Sequence, residues 1–333
     1  MGGDFAPANT VAGALAALRE SGERISVVLV GQQDRISAEL RKPHNQVFKE
    51  VGENSCSISH ATEVIEMHDS PTAALKTKRD SSITRGLTLL RDNRVDAFVS
   101  AGNTGAVLSA STLILGRIPG VGRPTIGALI PTAKDPCLLV DAGTNVDCRP
   151  RHLFEFGVMG SVYVSAIFGR AHPKVALLSI GEEDIKGNEA SLEALTLFRK
   201  SKLNFVGNVE GRDVLRGDVD VIVCDGFVGN ILLKFGESIP DFFKSKFMTF
   251  ASRNIVNALT ALVARNGLRS VMKELDYQEH GGVPLLGVNG VSIIGHGRST
   301  PKAIKNMIYR AEEMVRHQVS ALIQTTMLEY GPA

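Results

Sequence analysis

One pattern recurs along this 333-residue chain and restricts its fold more than any other feature. An apolar, β-branched run ends in a small or acidic residue, a glycine-rich polar turn follows, and a helix-like segment comes next. The runs are Ile25–Val30, Val95–Ser100, Cys137–Asp141, Val175–Ile180, Asn204–Val206, Val219–Cys224 and Val291–Ile294. Strands apolar on both faces, alternating with helices, predict an α/β fold with a mostly parallel sheet covered by helices. In such sheets ligands bind beyond the carboxyl ends of the strands, so the turns after the strands are where chemistry is expected.

Thr10–Glu20 carries a compact Ala/Leu face and reads as a helix. A long C-terminal helix is expected at about 301–328, opened by Ser299-Thr300 and Pro301, with Ile304, Met307, Ile308, Ala311, Met314, Val315, Val319, Leu322 and Ile323 on one face. Low-complexity linkers are absent, which favours a single domain over 1–333. A chain that is 44% hydrophobic can bury a core of that size.

The net charge of +2 is too small for general nucleic-acid binding, and the absence of Trp with only 5% aromatics argues against stacking platforms for single strands. The four cysteines form no CxxC pair and lack histidines at zinc-site spacing, so no metal site is expected. Cys137 and Cys224 sit in apolar runs and read as small core residues. A chain without a disulfide framework suits a reducing cytoplasm. No apolar run reaches the roughly 18 residues of a membrane span.

The turns carry the candidate chemistry. Ser100–Ala106 follows a strand and opens a helix; Gly102, Asn103, Thr104 and Gly105 could bring backbone N–H groups and a positive dipole end to an anion, or form only a tight turn with an N-cap. It is neither a Walker loop nor GxGxxG. Asp141–Asp147 repeats the design with two carboxylates, which could bind a metal, act as a base, hold the donors of other loops, or cap their own turn. Ile180–Asn188 sets Glu182, Glu183 and Asp184 before Lys186, as a site turn or a solvated loop. Asn208–Asp213, Asp225–Asn230, Gly281-Gly282 and Gly295-His296-Gly297 complete the set, with His296 structural or catalytic. Five or six such turns at equivalent strand ends are expected to converge.

A helical segment at about 238–275 is basic and amphipathic. From Phe242 to Lys273 it holds no acid but carries Lys244, Lys246, Arg253, Arg265, Arg269 and Lys273, with Phe242, Phe243, Phe247 and Phe250 and then Ile255, Leu259, Leu262 and Val263. It could lie on anionic lipid, dock an acidic partner, or pack as an interface or core helix. Lys76, Lys78 and Arg79 form a smaller basic cluster, either a solvated helix face or a border of a carrier site.

Met-Gly-Gly-Asp-Phe-Ala-Pro at the start, Ser100–Ala106, Asp141–Asp147, Met159–Tyr163, Ile180–Gly187, Asp225–Asn230 and Ser292–Gly297, in this order over essentially the whole chain, resemble the PlsX family of acyl-carrier-protein:phosphate acyltransferases of bacterial phospholipid synthesis. The resemblance implies a three-layer α/β/α Rossmann-like fold related to phosphate acetyltransferases and isocitrate-dehydrogenase-like proteins, and a homodimer; a cytoplasmic protein is expected, with the basic segment open to peripheral contact at the inner face of the membrane. It further implies acyl transfer from acyl carrier protein to inorganic phosphate without a cofactor, the acyl phosphate being consumed by a membrane glycerol-3-phosphate acyltransferase. Thr144 stands where the family commonly has Ala, and Ile231-Leu232 where it has Val-Thr.

Such chemistry asks little of acids and bases. Phosphate is already partly dianionic at neutral pH, with a second pKa near 6 as an ester, and a thiol of pKa near 8.5 leaves readily. Placement and oxyanion donors are what remain. On this reading Gly102–Gly105 cradle phosphate, Lys186 offsets its charge, and Asn230 or His296 supports the oxyanion or the phosphate. Asp4, Asp141, Asn145, Asp147 and Asp225 orient these donors. The rival readings are a phosphotransacylase using acyl-CoA, a nicotinamide dehydrogenase, disfavoured because Val30-Gly31-Gln32-Gln33 lacks further glycines, and a non-catalytic membrane-associated scaffold.

Met1-Gly2-Gly3-Asp4 has the character of a post-strand turn. The family pattern puts a short apolar strand ending in Asp-Ala just upstream, so the natural reading frame is expected to extend about five to ten residues before Met1. Without it, Met1–Pro7 should be displaced or mobile beside an open slot in the sheet.

Overall fold

The computed structural model describes residues 1–45, 55–274 and 281–331, the side chains of 273 and 274 excepted. All seven apolar runs form strands: β1 (Val27–Gly31), β3 (Ala97–Ser100), β5 (Cys137–Val140), β6 (Val175–Leu178), β7 (Phe205–Val209), β8 (Val221–Val223) and β10 (Val291–Ile294). Among the described residues three further strands escaped the pattern: β2 (Cys56–His60), β4 (Thr125–Ile130) and β9 (Val283–Leu286). Each is short or carries Pro or Gly, which dilutes the periodicity.

Strands β3-β10-β9-β4-β5-β8-β6-β7 make one sheet in that order, while β1 and β2 pair as a separate parallel ribbon. In the large sheet β3–β10, β5–β8, β8–β6 and β6–β7 are parallel, whereas β9 and β4 run antiparallel to their neighbours. The result is the mostly parallel α/β architecture expected. Every residue of β5 and β8 is buried, because helices cover both faces.

The helices are α1 (Ala8–Ser21), α2 (Gln33–Leu40), α3 (Pro71–Thr77), α4 (Ser82–Arg91), α5 (Thr104–Ile114), α6 (Pro150–Phe168), α7 (Glu189–Arg199), α8 (Gly226–Ala251), α9 (Ile255–Glu274), α10 (Pro301–Arg316) and α11 (Val319–Glu329). The largest core forms around α6, whose Phe156, Met159 and Tyr163 are fully enclosed, with Phe156 and Met159 each worth about 1.5–3 kcal/mol of burial. The expected continuous C-terminal helix is instead two. His317 ends α10 and Gln318 takes φ 51° before α11 begins, so that Val319, Ile323 and Met327 turn into the same core.

A cavity of about 560 Å³ lies between β1 and β3. The expected displacement of Met1–Pro7 is not observed. The Met1 amine donates to Val30 O at 2.6 Å, Ser82 Oγ donates to Met1 O at 2.6 Å, and Asp4 N donates to Gly297 O at 2.7 Å. Those three bonds tie the segment to β1, α4 and the turn after β10.

Candidate active site

Strand direction sorts the glycine turns into two groups rather than one. β3 and β10 run one way, and β5, β8, β6 and β7 the other. Their carboxyl ends therefore face opposite edges of the sheet, and the expected convergence at equivalent strand ends is corrected by the antiparallel pair β9–β4. The first group is Gly2–Asp4, Ala101–Gly105 and Gly295–Gly297. The second is Asp141–Asp147, Gly181–Gly187, Glu210–Asp213 and Asp225–Asn230. The two groups share one apolar cluster, in which Ala106 and Val107 of α5 join Ala142 of the turn after β5 and Leu233 of α8.

In the first group, backbone packs on backbone. A Cβ on Gly2 would lie 3.2 Å from the Gly102 nitrogen, so the two glycines stack. The Gly102 amide is taken by Ser100 Oγ at 3.1 Å. Asn103 does not aim its side chain at an anion: its Oδ1 caps α5 by accepting from Ala106 N at 3.0 Å, and its amide nitrogen donates to the carbonyls of Glu66, Met67 and Asp69. Gly105 is small because Pro71 of α3 packs against it, with 2.7 Å to a built Cβ. The amides of Asn103, Thr104 and Gly105 have no acceptor among the described residues, and the Thr104 side chain is exposed beside them. His296 is exposed, its Nδ1 accepting from Arg298 N at 3.2 Å. Asp4 abuts Gly297.

The second group is built around Asp141, whose side chain is entirely enclosed. Its carboxylate accepts five hydrogen bonds: from the amides of Gly143, Thr144 and Asn145, from Thr144 Oγ1, and from Asn145 Nδ2, at 2.6–2.9 Å. A carboxylate so saturated is a positioning group, not a base. Asn145 also donates to Pro124 O at 2.9 Å, and its carbonyl accepts from Gly226 N at 2.7 Å, which fastens the loop to the start of α8. Asp225 caps that helix through Val228 N at 2.8 Å. Asn230 lies over Gly143 with its side chain otherwise exposed. Asp147 stands outside this lattice, exposed, with only its carbonyl used, by Arg123 at 2.9 Å.

Two cysteines lie beneath the loop: Cys148 Sγ contacts Asn145 O at 3.3 Å and Cys224 Sγ contacts Asp141 O at 3.6 Å. Burial, with the charges of Asp141 and Asp225 adding, pushes the Cys148 thiol up to about 12 and Cys224 well above its ordinary value. Neither is poised as a nucleophile.

Two of the three acids of the Gly181–Gly187 turn are engaged by arginines, Asp184 with Arg199 at 2.9 Å and Glu182 with Arg212 at 3.8 Å. Lys186 is exposed, with no carboxylate partner among the described residues. Its strand, β6, stands six places from β3. At about 4.8 Å per strand that is roughly 29 Å. The expectation that Lys186 offsets the charge of an anion held at Gly102–Gly105 is therefore corrected within one chain.

The basic segment spans the second half of α8 and all of α9. Lys244, Lys246, Arg253, Arg265 and Arg269 are exposed, and so are Phe242, Phe243, Ile255, Leu259, Leu262 and Val263. The side chain of Lys273 lies outside the described residues. No helix among the described residues is long and apolar enough to cross a membrane. In the smaller basic cluster, Lys78 pairs with Asp69 and donates to Val64 O, binding the 64–69 loop. That loop is the part of the site the sequence did not announce, since Asn103 reaches it through backbone carbonyls, which no side-chain pattern marks.

A branched-chain phosphotransacylase from Enterococcus faecalis V583 has a similar fold, with TM-score 0.59 at 15% identity over 95% of this chain and 97% of that one. A phosphotransacetylase from Streptococcus pyogenes gives TM-score 0.56 at 17% identity, over 96% and 91%. Closer in sequence, a phosphate acyltransferase from Dictyoglomus turgidum is 47% identical over 325 residues, 97% of this chain and 94% of the relative. One from Pelotomaculum thermopropionicum is 45% identical over 327 residues, 98% and 93%. The protein is an acyltransferase on a phosphotransacylase-like α/β fold. The chain belongs to the family described as Fatty acid synthesis protein, which matches residues 1–322.

Proposed function

We propose that the protein moves a fatty acyl group from acyl carrier protein to inorganic phosphate, making acyl phosphate for phospholipid synthesis. One observation carries the reading: the amides of Asn103, Thr104 and Gly105, without acceptors among the described residues, stand at the head of α5 with the Thr104 side chain exposed beside them. A phosphate oxygen bound there attacks the thioester carbonyl carbon. The C–S bond breaks, the carrier leaves as its thiol after taking a proton, and a mixed carboxylic–phosphoric anhydride remains. His296, on the edge where the phosphate is held, serves the oxyanion, and Asn230, set over the rigid Asp141–Asn145 loop of the opposite edge, serves the carrier. Lys186 serves the anionic arm of the carrier rather than the phosphate, because it belongs to the same edge as Asn230. His296 borders the phosphate side.

The chain acts as a homodimer, and the α8–α9 pair carries the contact with carrier protein or the anionic inner face of the membrane. Its cations and apolar side chains, exposed together, support that role. The decisive assay follows carrier thiol release from a long-chain acyl carrier protein with and without phosphate, beside the matching acyl-CoA. Release without phosphate, or faster turnover of acyl-CoA, overturns the reading; a protein silent with both donors would be a scaffold.

A further inference from the structure

The segment between β2 and α4 is closed at its base and braced at its middle. At the base, Thr62 N and Oγ1 donate to Asp80 Oδ2 at 2.9 and 2.8 Å, Asp80 N donates to Glu63 Oε2 at 2.9 Å, and Glu63 and Ser81 form a parallel bridge. At the middle, Lys78 follows the last residue of α3 and reaches back across the loop. Its Nζ donates to Val64 O at 2.9 Å and pairs with Asp69 Oδ2, which also accepts from Glu66 N at 2.8 Å. Lys76 and Arg79 beside it are exposed, so of these three cations Lys78 is the one turned into the loop.

What the brace holds lies against the phosphate side of the site. The carbonyls of Glu66, Met67 and Asp69 accept from the Asn103 side chain at 3.0–3.3 Å. Pro71, which opens α3, packs on Gly105, and Met67 Cε lies 3.1 Å from the place a Cβ would take on Gly297. Carbonyls on an irregular loop can hold Asn103 only as firmly as the loop itself is held, and the loop takes its order from such tie points. We infer that Lys78 is a positioning residue for the phosphate-binding turn. Through Asp69 and Val64 it sets the loop, through the loop it sets Asn103, and through Asn103 the amides of Asn103, Thr104 and Gly105. This role rests on the phosphate binding proposed for those amides. Small displacements of binding groups have large kinetic effects, so the influence of Lys78 is felt without contact to substrate.

Steady-state kinetics at saturating acyl donor test this. Lys78→Met should raise the phosphate KM about fivefold, with kcat within about twofold and the donor KM unchanged, and Lys78→Arg should restore it. Asp69→Ala keeps the cation but breaks the brace, and it decides the matter if Lys78→Met fails to fold. It should also raise the phosphate KM, whereas a Lys78 that attracts phosphate through space would bind it better once the neighbouring carboxylate is gone. Lys76→Met is the control and should leave the phosphate KM unchanged. A second readout needs no turnover. The Ala106 amide, which donates to Asn103 Oδ1, should exchange hydrogen several-fold faster in both Lys78→Met and Asp69→Ala. Faster exchange in a protein whose wild type shows no phosphate dependence would sink the phosphate reading and support the coupling of Lys78 to the turn. Unchanged exchange, an unmoved phosphate KM in Lys78→Met, or a lower one in Asp69→Ala overturns the proposal.

Discussion

Gly229 of α8 lies so close to Asp141 that a methyl group at its Cα would overlap the Asp141 carbonyl oxygen. The contact lets the helix start bear directly on the loop whose donors Asp141 holds. Gly229→Ala should cost about 1–3 kcal/mol by overpacking, against about 1 kcal/mol gained from helix propensity, and should lower turnover. Gly236→Ala on the same helix meets no neighbour and should be neutral or stabilising. Urea unfolding of the pair, with turnover measured alongside, checks the contrast; equal behaviour of both variants would remove the close approach as its cause.

Asp141→Asn keeps the shape but turns an amide group toward donors. Five bonds become at most two or three with correct polarity, so stability should fall by about 2–3 kcal/mol. Turnover should drop at least tenfold with little change in the phosphate KM, because the second group of turns does not hold the phosphate. A raised phosphate KM with intact turnover contradicts that division.

Asn103 fixes the loop at Glu66–Asp69 and caps α5. Asn103→Ala removes both, at about 1–2 kcal/mol for the cap alone. The phosphate KM should rise several-fold, and steady-state kinetics at saturating acyl donor would reveal it.

Lys186→Ala should raise the KM for acyl carrier protein by about tenfold, the scale of one charge-assisted bond, and leave the phosphate KM unchanged. The reverse pattern would return Lys186 to the phosphate.

No thiol is expected to take part. Burial raises Cys56 to about 11 and Cys137 to about 12, and Cys148 stands at about 12. At pH 8 a thiol of pKa 12 is thiolate in about one molecule in ten thousand. Native protein should resist iodoacetamide and stay active, with labelling appearing only in denaturant; rapid loss of activity would show a reactive cysteine.

Seven strands, the N-terminal helix and the glycine turns were legible in the sequence, because burial on both faces forces unbroken apolar runs and each sharp turn after a strand demands glycine or a capping side chain. The residue types of the site were legible for the same reason. The grouping of those turns was not. It depends on β4 and β9, short strands whose antiparallel pairing divides the turns between two edges and separates Lys186 from Gly102–Gly105. Nor did the sequence disclose that Asn103 spends its side chain on a distant loop, or that Gly229 is small for the sake of Asp141. Local sequence sets which segments become strands, helices and turns, since those choices follow from neighbours along the chain. Strand order and direction follow from contacts between residues far apart in it, and they decided which donors face a common substrate.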